Sequence, residues 1–204
     1  MINSKSQLAI ALSRLAAFKT PKIGLEQYTT ESEIAAEVLW NANMSGDIQD
    51  KTIADMGCGT GILGIGALML GAKKVYFIDI DKDALEILRT NLASTGIKKG
   101  FEIIESDISG FPTEVDMVIQ NPPFGTKEKH VDKTFLHKAF SLSDMIYSFH
   151  KTATAEFVTK LAKENCFELK GRWDFSYPLK QTMKQHSKRI QRIEVSAFKF
   201  VKKS

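Results

Sequence analysis

The chain has few cysteines and no long uninterrupted apolar run. Cys58 and Cys166 are the only two cysteines in 204 residues, which excludes a disulfide framework and favours a reducing, cytoplasmic environment. The first 15 residues, MINSKSQLAIALSRL, lack the apolar core of a signal peptide. No apolar run is long enough to span a bilayer. We therefore expect a cytoplasmic protein that makes no membrane contact and holds no cysteine-rich metal cluster.

Proline and glycine are not enriched either, at 5 and 13 residues, and no internal repeat or low-complexity tract is present. This composition argues against a linker and against a solenoid. We predict a single domain over residues 1–204, with an N-terminal helical segment and loop in 1–45 and the main core in 51–204.

Positive charge is concentrated towards the end of the chain. Residues 151–204 hold 13 Lys or Arg and 5 Asp or Glu, a balance of +8, whereas the whole chain carries +4. The first 150 residues are therefore acidic, at −4. A polyanion is expected to contact the C-terminal third; a merely solvated basic face is the alternative.

Short apolar segments alternate with amphipathic ones along most of the chain. Helices are predicted over residues 4–18, 30–43, 62–70, 83–95 and 152–165, and Thr30 with Glu33 fits a capping box. Strands are predicted over residues 51–57, 73–81, 101–106, 115–120, 144–149, 166–175 and 193–201. This alternation predicts an α/β fold with a parallel sheet of βαβ units. The last two strands form an antiparallel pair, joined by a loop from about Tyr177 to Arg189.

Residues 55–61, DMGCGTG, join the first predicted strand to a helix. Gly57, Gly59 and Gly61 let the backbone turn sharply and let a ligand lie against it. Asp55 would repel the pyrophosphate of a dinucleotide but attract an ammonium group. S-adenosylmethionine has an amino-acid end and no phosphate, so it fits better. The alternative is a plain strand-to-helix turn in which the glycines serve packing.

Carboxylates also follow the next two strands. Asp79 ends the second strand, where it can accept both hydroxyls of a ribose. Asp81 lies further along and is expected to cap the following helix. Asp107 follows the third strand and could accept the exocyclic amine of adenine, with Ile108 against the ring; an aspartate in a turn is its alternative.

The fourth strand ends in residues 121–124, NPPF. Proline has no N–H and cannot continue a ladder, so this turn holds Asn121 and Phe124 stiffly. An exocyclic amine is a poor nucleophile until acceptors localise its lone pair. The Asn121 side-chain oxygen and the Pro122 carbonyl oxygen supply two acceptors, and Phe124 can stack on a base.

The order DMGCGTG, FIDID, SDI and NPPF resembles class I, S-adenosylmethionine-dependent amino-methyltransferases. Together with residues 25–30 (LEQYTT) and 147–151 (YSFHK), it resembles the methyltransferase-like protein five family of ribosomal-RNA adenine N6-methyltransferases. The likeness runs from about Gly24 to Lys151. It implies a Rossmann-like sheet of seven mostly parallel strands with helices on both faces and an antiparallel last strand.

The resemblance also implies a small-subunit ribosomal-RNA substrate and, at least in eukaryotic members of the family, a small zinc-binding activator protein as partner. It implies a catalytic turn of Asn121, Pro122, Pro123 and Phe124. The residues it places at the cofactor are Gln27, Thr30, Gly57, Thr60, Ile62, Asp79, Asp107 and Ile108. Thr29 stands where the family is expected to have proline, and Thr60 where cysteine is common.

Two alternatives remain open at this point. NPPF also resembles the NPPY of enzymes that methylate a release-factor glutamine, because the amide nitrogen poses the same chemical problem. A non-catalytic, cofactor-binding ribosome-assembly module is the other alternative, which an intact Asn121 weakly disfavours.

Overall fold

A computed structural model describes residues 2–18, 22, 29–123, 131–178 and 192–203, and its centre is a seven-stranded sheet in the order β3-β2-β1-β4-β5-β7-β6. The strands are β1 (Thr52–Met56), β2 (Lys74–Asp79), β3 (Phe101–Glu105), β4 (Met117–Gln120), β5 (Met145–Lys151), β6 (Phe167–Pro178) and β7 (Arg192–Lys202). Strands β1 to β5 pair in parallel, and β7 is antiparallel to both β5 and β6. The predicted fold class, with its antiparallel last strand, is confirmed.

Helices cover both faces of this sheet. They are α1 (Lys5–Ser13), α2 (Ser32–Met44), α3 (Ile62–Met69), α4 (Lys82–Thr95), α5 (Val131–Leu142) and α6 (Ala155–Glu164). One apolar cluster packs the four helices α1, α2, α3 and α4 against the first face of the sheet, through residues such as Leu8, Leu39 and Leu88. A second cluster joins α5 and α6 to the other face, through Leu136 and Val158. The division into residues 1–45 and 51–204 stays a prediction.

The parallel pairing of β2, β1 and β4 brings their carboxyl ends to the same end of the sheet. In the register of these strands Met56 lies beside both Ile78 and Gln120. Residues that directly follow the three strands are therefore neighbours in space, although Gly57 and Asn121 are 64 positions apart in the sequence. Ligands of open α/β sheets bind at this carboxyl end of the strands.

Two predicted helix boundaries were wrong. The predicted capping box at Thr30 does not form: Glu31 is the N-cap of α2, and no side-chain capping bond is present at this end among the described residues. The helix predicted to reach Phe18 ends at Ser13. The backbone of Ala16 instead bonds the side chain of Asn91, 75 positions away. The Thr30 hydroxyl likewise bonds a residue that is distant in sequence, Asn121.

Helix α5 was not predicted. It follows the proline turn, and its buried residues in the described structure are Leu136, Ala139 and Leu142. Phe135 and Phe140 are partly buried and pack against the second cluster. Residues 135, 136, 139 and 140 therefore have the apolar spacing of a helix, which the prediction overlooked.

Candidate active site

The turn between β1 and α3 needs glycine for both backbone and packing reasons. Gly57 and Cys58 donate backbone N–H bonds to the Ile78 carbonyl oxygen, at 2.8 and 3.0 Å, which ties the turn to β2. Gly61 begins α3 at φ +88°, and a Cβ added there would lie 2.2 Å from Leu88 Cδ1. A residue with a side chain at Gly61 would meet both backbone strain and a clash. Next to these glycines, Thr60 and Ile62 are buried.

Aromatic rings lie beside the other two glycines of this turn. A Cβ added to Gly57 would lie 3.0 Å from the ring of Phe135, and one added to Gly59 would lie 3.0 Å from the ring of Phe18. We expected a ligand to lie against these glycines. On the side where a Cβ would point, the structure places two of the protein's own phenylalanines, which the sequence analysis did not identify.

Asp55 lies at the carboxyl end of β1 and is only 1% exposed. One carboxylate oxygen, Oδ2, accepts the Gly64 N–H at 2.8 Å, and so satisfies an amide in the first turn of α3 that has no partner within the helix. Burial raises the pKa of Asp55 to about 7. A buried carboxyl group of this kind is suited to pair with an ammonium group, since a cation would restore its charged form.

Asp79 ends β2 and holds the glycine turn in place. Its Oδ2 accepts the Gly59 N–H at 2.7 Å, and its Oδ1 accepts the Asp81 N–H at 2.8 Å. Burial is the main cause that raises the pKa of Asp79 above its usual range. Asp81 has a different role: it caps α4 through the Asp83 N–H and pairs with Lys22 at 2.5 Å. The predicted capping role of Asp81 is confirmed.

Ile80, between these two aspartates, is an apolar residue that the sequence analysis missed. Its side chain is 63% exposed beside the carboxyl end of β2. An isoleucine so exposed directly after Asp79 provides apolar surface for a flat ring next to the carboxylate proposed to bind ribose. The alternation of acidic and apolar residues in FIDID is the signal that could have identified it.

Asp107 caps a short 3₁₀ turn, Ile108–Gly110. Its Oδ1 accepts from the Ser109 N–H at 2.8 Å and from the Ser109 hydroxyl at 2.5 Å. These bonds lower the pKa of Asp107 below its usual range. The turn geometry considered as the alternative is therefore present, while an adenine contact by Asp107, or by the buried Ile108, stays a prediction.

Asn121 directly follows β4, and one of its two polar side-chain atoms has no hydrogen-bond partner among the described residues. Its Nδ2 donates to the Thr30 hydroxyl oxygen at 2.9 Å. Its Oδ1 is buried and has no hydrogen-bond partner within the described ranges. A buried acceptor without a donor costs roughly 1–3 kcal/mol, so it marks a place for an incoming N–H. Pro122 is buried and Pro123 is partly buried; Gln27 and Phe124 lie outside the described residues.

A buried polar chain lies beneath this turn. The Gln120 amide donates to Ser148 Oγ at 3.0 Å, and Ser148 Oγ lies 2.7 Å from His150 Nε2. Burial lowers the pKa of His150 to about 3, so this imidazole is neutral at physiological pH. This set of polar contacts was not predicted, although Ser148 and His150 alternate with apolar residues in an otherwise buried strand.

Together these groups fit the cofactor that the sequence suggested. A buried carboxyl group, a partly buried carboxylate and an exposed isoleucine suit the ammonium, the ribose and the adenine of S-adenosylmethionine. In the described parts of the chain no group of three or more His, Cys, Asp or Glu residues could hold a metal ion. No helix in those same parts is long and apolar enough to cross a membrane.

A comparison with protein families identifies the class of protein. Residues 30–143, more than half of the chain, match the family model described as the methyltransferase small domain. The protein is therefore a methyltransferase, and S-adenosylmethionine is its cofactor.

Comparison with individual relatives identifies a narrower family. The rRNA N(6)-adenosine-methyltransferase METTL5 of Danio rerio is 36% identical over 95% of this chain and 97% of its own length. The Drosophila melanogaster Mettl5 is 32% identical over 93% of this chain and 92% of its own length. The chain belongs to the METTL5 family. A crystal structure from Pyrococcus horikoshii, described as a candidate RNA methyltransferase, matches with 43% identity and a TM-score of 0.89, over 97% of this chain and 98% of that one.

Proposed function

We propose that this protein methylates the N6 amine of an adenine in small-subunit ribosomal RNA in the cytoplasm. The observation that carries the proposal is the buried Asn121 Oδ1, which has no partner among the described residues. The names of its METTL5 relatives, which specify rRNA N(6)-adenosine, support the substrate class.

The chemistry requires acceptors and no strong base. The lone pair of an adenine amine is delocalised into the ring, and hydrogen bonds from its two N–H groups localise it on nitrogen. Asn121 Oδ1 can accept one of these bonds and the Pro122 carbonyl oxygen the other, held by the proline turn. When bound, S-adenosylmethionine would supply the methyl group: the N–C bond would form as the C–S bond of the sulfonium breaks, with S-adenosylhomocysteine as the leaving group. The methylated nitrogen would lose one proton to water, so no side chain has to ionise.

Thr30 bonds one end of the Asn121 amide. Since Nδ2 is bonded to the Thr30 hydroxyl oxygen, Oδ1 is the atom that remains for an incoming donor. We expect Thr30 to act on this amide, besides any contact that it makes with the cofactor. An unpaired adenine is the easier substrate, because a base within a helix must first be extruded at a cost of a few kcal/mol.

One incubation tests the substrate. The protein is mixed with methyl-labelled S-adenosylmethionine and, separately, with small ribosomal subunits, large ribosomal subunits and a release factor. We expect label only with small subunits, removed by nuclease and retained after protease, with N6-methyladenosine as the product by mass spectrometry. Label in the release factor that protease removes would establish the glutamine alternative. No label in any substrate, with the cofactor bound, would favour the assembly module.

We also propose a small zinc-binding activator protein as partner. The support is the family relationship and the two edges of the sheet, β3 and β6, since an open edge offers unpaired backbone groups. Co-expression followed by size-exclusion chromatography tests it. One joint peak with a gain in soluble yield is expected, and two separate peaks without that gain would exclude the partner for this protein.

A further inference from the structure

The amide of Asn91 joins two segments that are distant in sequence from it and from each other. Asn91 lies on α4 and is 1% exposed. Its Oδ1 accepts the Ala16 N–H at 2.7 Å, and its Nδ2 donates to the Ala16 carbonyl oxygen at 3.0 Å and to the Thr60 carbonyl oxygen at 2.9 Å. One side chain therefore satisfies three backbone groups, none of which lies in a helix or a strand.

This connection places Phe18 at the glycine turn. Phe18 lies two positions after Ala16, is partly buried, and directs its ring at Gly59, whose added Cβ would come within 3.0 Å of that ring. Gly59 in turn donates its N–H to the Asp79 carboxylate. The ring therefore lies against Gly59, whose N–H bonds Asp79, and we assign both of these residues to the cofactor.

A second described point of the N-terminal region also contacts the start of α4. Lys22 pairs with Asp81 at 2.5 Å and with Asp83 at 2.7 Å. Asp81 follows Asp79 by two residues and donates its N–H to it. The N-terminal region is thus attached at two described points, by the Asn91 amide at Ala16 and by an ion pair to the start of α4 at Lys22.

We propose that Phe18 is a further cofactor-binding residue, an apolar wall of the S-adenosylmethionine site, and that Asn91 is the positioning residue that holds it there. The inference rests on the cofactor site assigned above. Packing alone would explain why the N-terminal segment lies on the domain. It would not by itself require a buried amide to bond both Ala16 and the carbonyl of Thr60 inside the cofactor turn.

The test is calorimetric titration with S-adenosylhomocysteine, which needs no RNA. Phe18→Ala should raise the dissociation constant about tenfold, the loss of one apolar contact, and should leave the melting temperature of the cofactor-free protein nearly unchanged. Asn91→Ala should raise the dissociation constant by a similar factor. Asn91→Asp, which keeps the acceptor for the Ala16 N–H, serves if Asn91→Ala does not fold.

The double variant separates positioning from general destabilisation. If Asn91 acts by holding Phe18, the loss of affinity in Asn91→Ala with Phe18→Ala should hardly exceed that of either single variant, since the two changes remove one contact. Phe157→Ala and Asn41→Ala are matched controls, because Phe157 is an exposed phenylalanine on α6 and the Asn41 side-chain amide donates to Glu37 of its own helix. Neither should change the affinity.

Three results would contradict the inference. Unchanged affinity in Phe18→Ala, while Asp79→Ala still binds weakly, overturns it and leaves the assigned cofactor site standing. Additive losses in the double variant remove the positioning role of Asn91. Failure of the unaltered protein to bind S-adenosylhomocysteine overturns the inference together with the assigned site.

Discussion

The polar side chains at the carboxyl ends of the strands differ in how many of their atoms already have hydrogen-bond partners. Asp55 is buried with one backbone donor, Asp79 has a backbone donor on each oxygen, and Asn121 has one atom bonded and one without a partner among the described residues. These differences allow each group's role to be tested separately.

Asp79→Ala should weaken cofactor binding far more than Asp81→Ala. Asp79 borders the turn and is partly exposed to a ligand, whereas Asp81 is committed to the cap of α4 and to Lys22. Hydrogen bonds to a charged group contribute about 1.5–3 kcal/mol each, so the Asp79 variant should lose at least about tenfold in affinity. Calorimetric titration of both variants measures this. Equal affinities would remove Asp79 from the proposed ribose role.

Cofactor affinity should fall as the pH is lowered through 7. The raised pKa of Asp55, about 7, means that the cofactor-free protein holds a proton on this carboxyl group below that pH. The proton must leave before the carboxylate can pair with an ammonium group, so affinity should drop about tenfold per pH unit below about pH 7 and level off above it. Titrations between pH 5.5 and 8.5, with ionic strength held constant, measure this profile.

Asp55→Asn is the control for this profile. It keeps an acceptor for the Gly64 N–H but cannot ionise, so it should bind more weakly at pH 8 and show a flat dependence on pH. A wild-type profile that is equally flat would mean that Asp55 serves α3 alone.

At the scale of elements, the start of α3 depends on how closely α3 and α4 approach. Gly61 and Gly96 both have positive φ angles, +88° and +74°. A Cβ on Gly61 would meet Leu88 of α4, which is fully buried, whereas a Cβ on Gly96 would meet nothing within 4 Å. The two glycines therefore separate backbone strain from overpacking.

Gly61→Ala should destabilise the fold more than Gly96→Ala. The left-handed conformation alone costs about 1–2 kcal/mol, and overpacking against Leu88 adds about 1–3 kcal/mol. Urea unfolding of both variants gives the difference in the free energy of unfolding. Equal losses would show that Leu88 moves aside without cost and that the approach of α3 to α4 is not tight.

At the scale of the whole molecule, ion pairs already neutralise much of the positive charge that the structure describes after residue 150. Five cations there pair with carboxylates. These five are Lys170, Arg172, Lys199, Lys202 and Lys203. The surplus charge in the sequence thus points to residues 179–191, which lie outside the described residues and contain Lys180, Lys184, Lys188 and Arg189.

Charge reversal at Lys184 and Lys188 together should weaken RNA binding at low salt and have less effect at high salt. Each lost phosphate contact should flatten the slope of log affinity against log salt by roughly 0.7–0.9. Lys98→Glu with Lys99→Glu makes the same change of charge on exposed residues before β3 and should leave the slope unchanged. Cofactor affinity should not move in either double variant. An unchanged slope in the loop variant would place the RNA contact elsewhere, at residues such as Lys127 and Lys129.

The sequence predicted most of this fold because apolar strands buried on both faces have a strong local pattern. All seven strands and the cap at Asp81 were predicted correctly. The ends of α1 and α2 were not, because the Ala16 backbone bonds Asn91 and the Thr30 hydroxyl bonds Asn121. Phe18 and Asn91 were missed for the same reason: neither belongs to a motif, and only tertiary contact brings them to the glycine turn.

The measurement that tests the central claim most directly compares Asn121→Ala with the unaltered protein in two assays. S-adenosylhomocysteine affinity, measured by calorimetry, should be nearly unchanged, because Asn121 Oδ1 is assigned to the target amine. Formation of N6-methyladenosine in small ribosomal subunits should fall at least about 100-fold, as for loss of one preorganised hydrogen-bonding group in a transition state. Turnover at a tenth of the original rate or faster, with the cofactor bound normally, would contradict the acceptor role of Asn121.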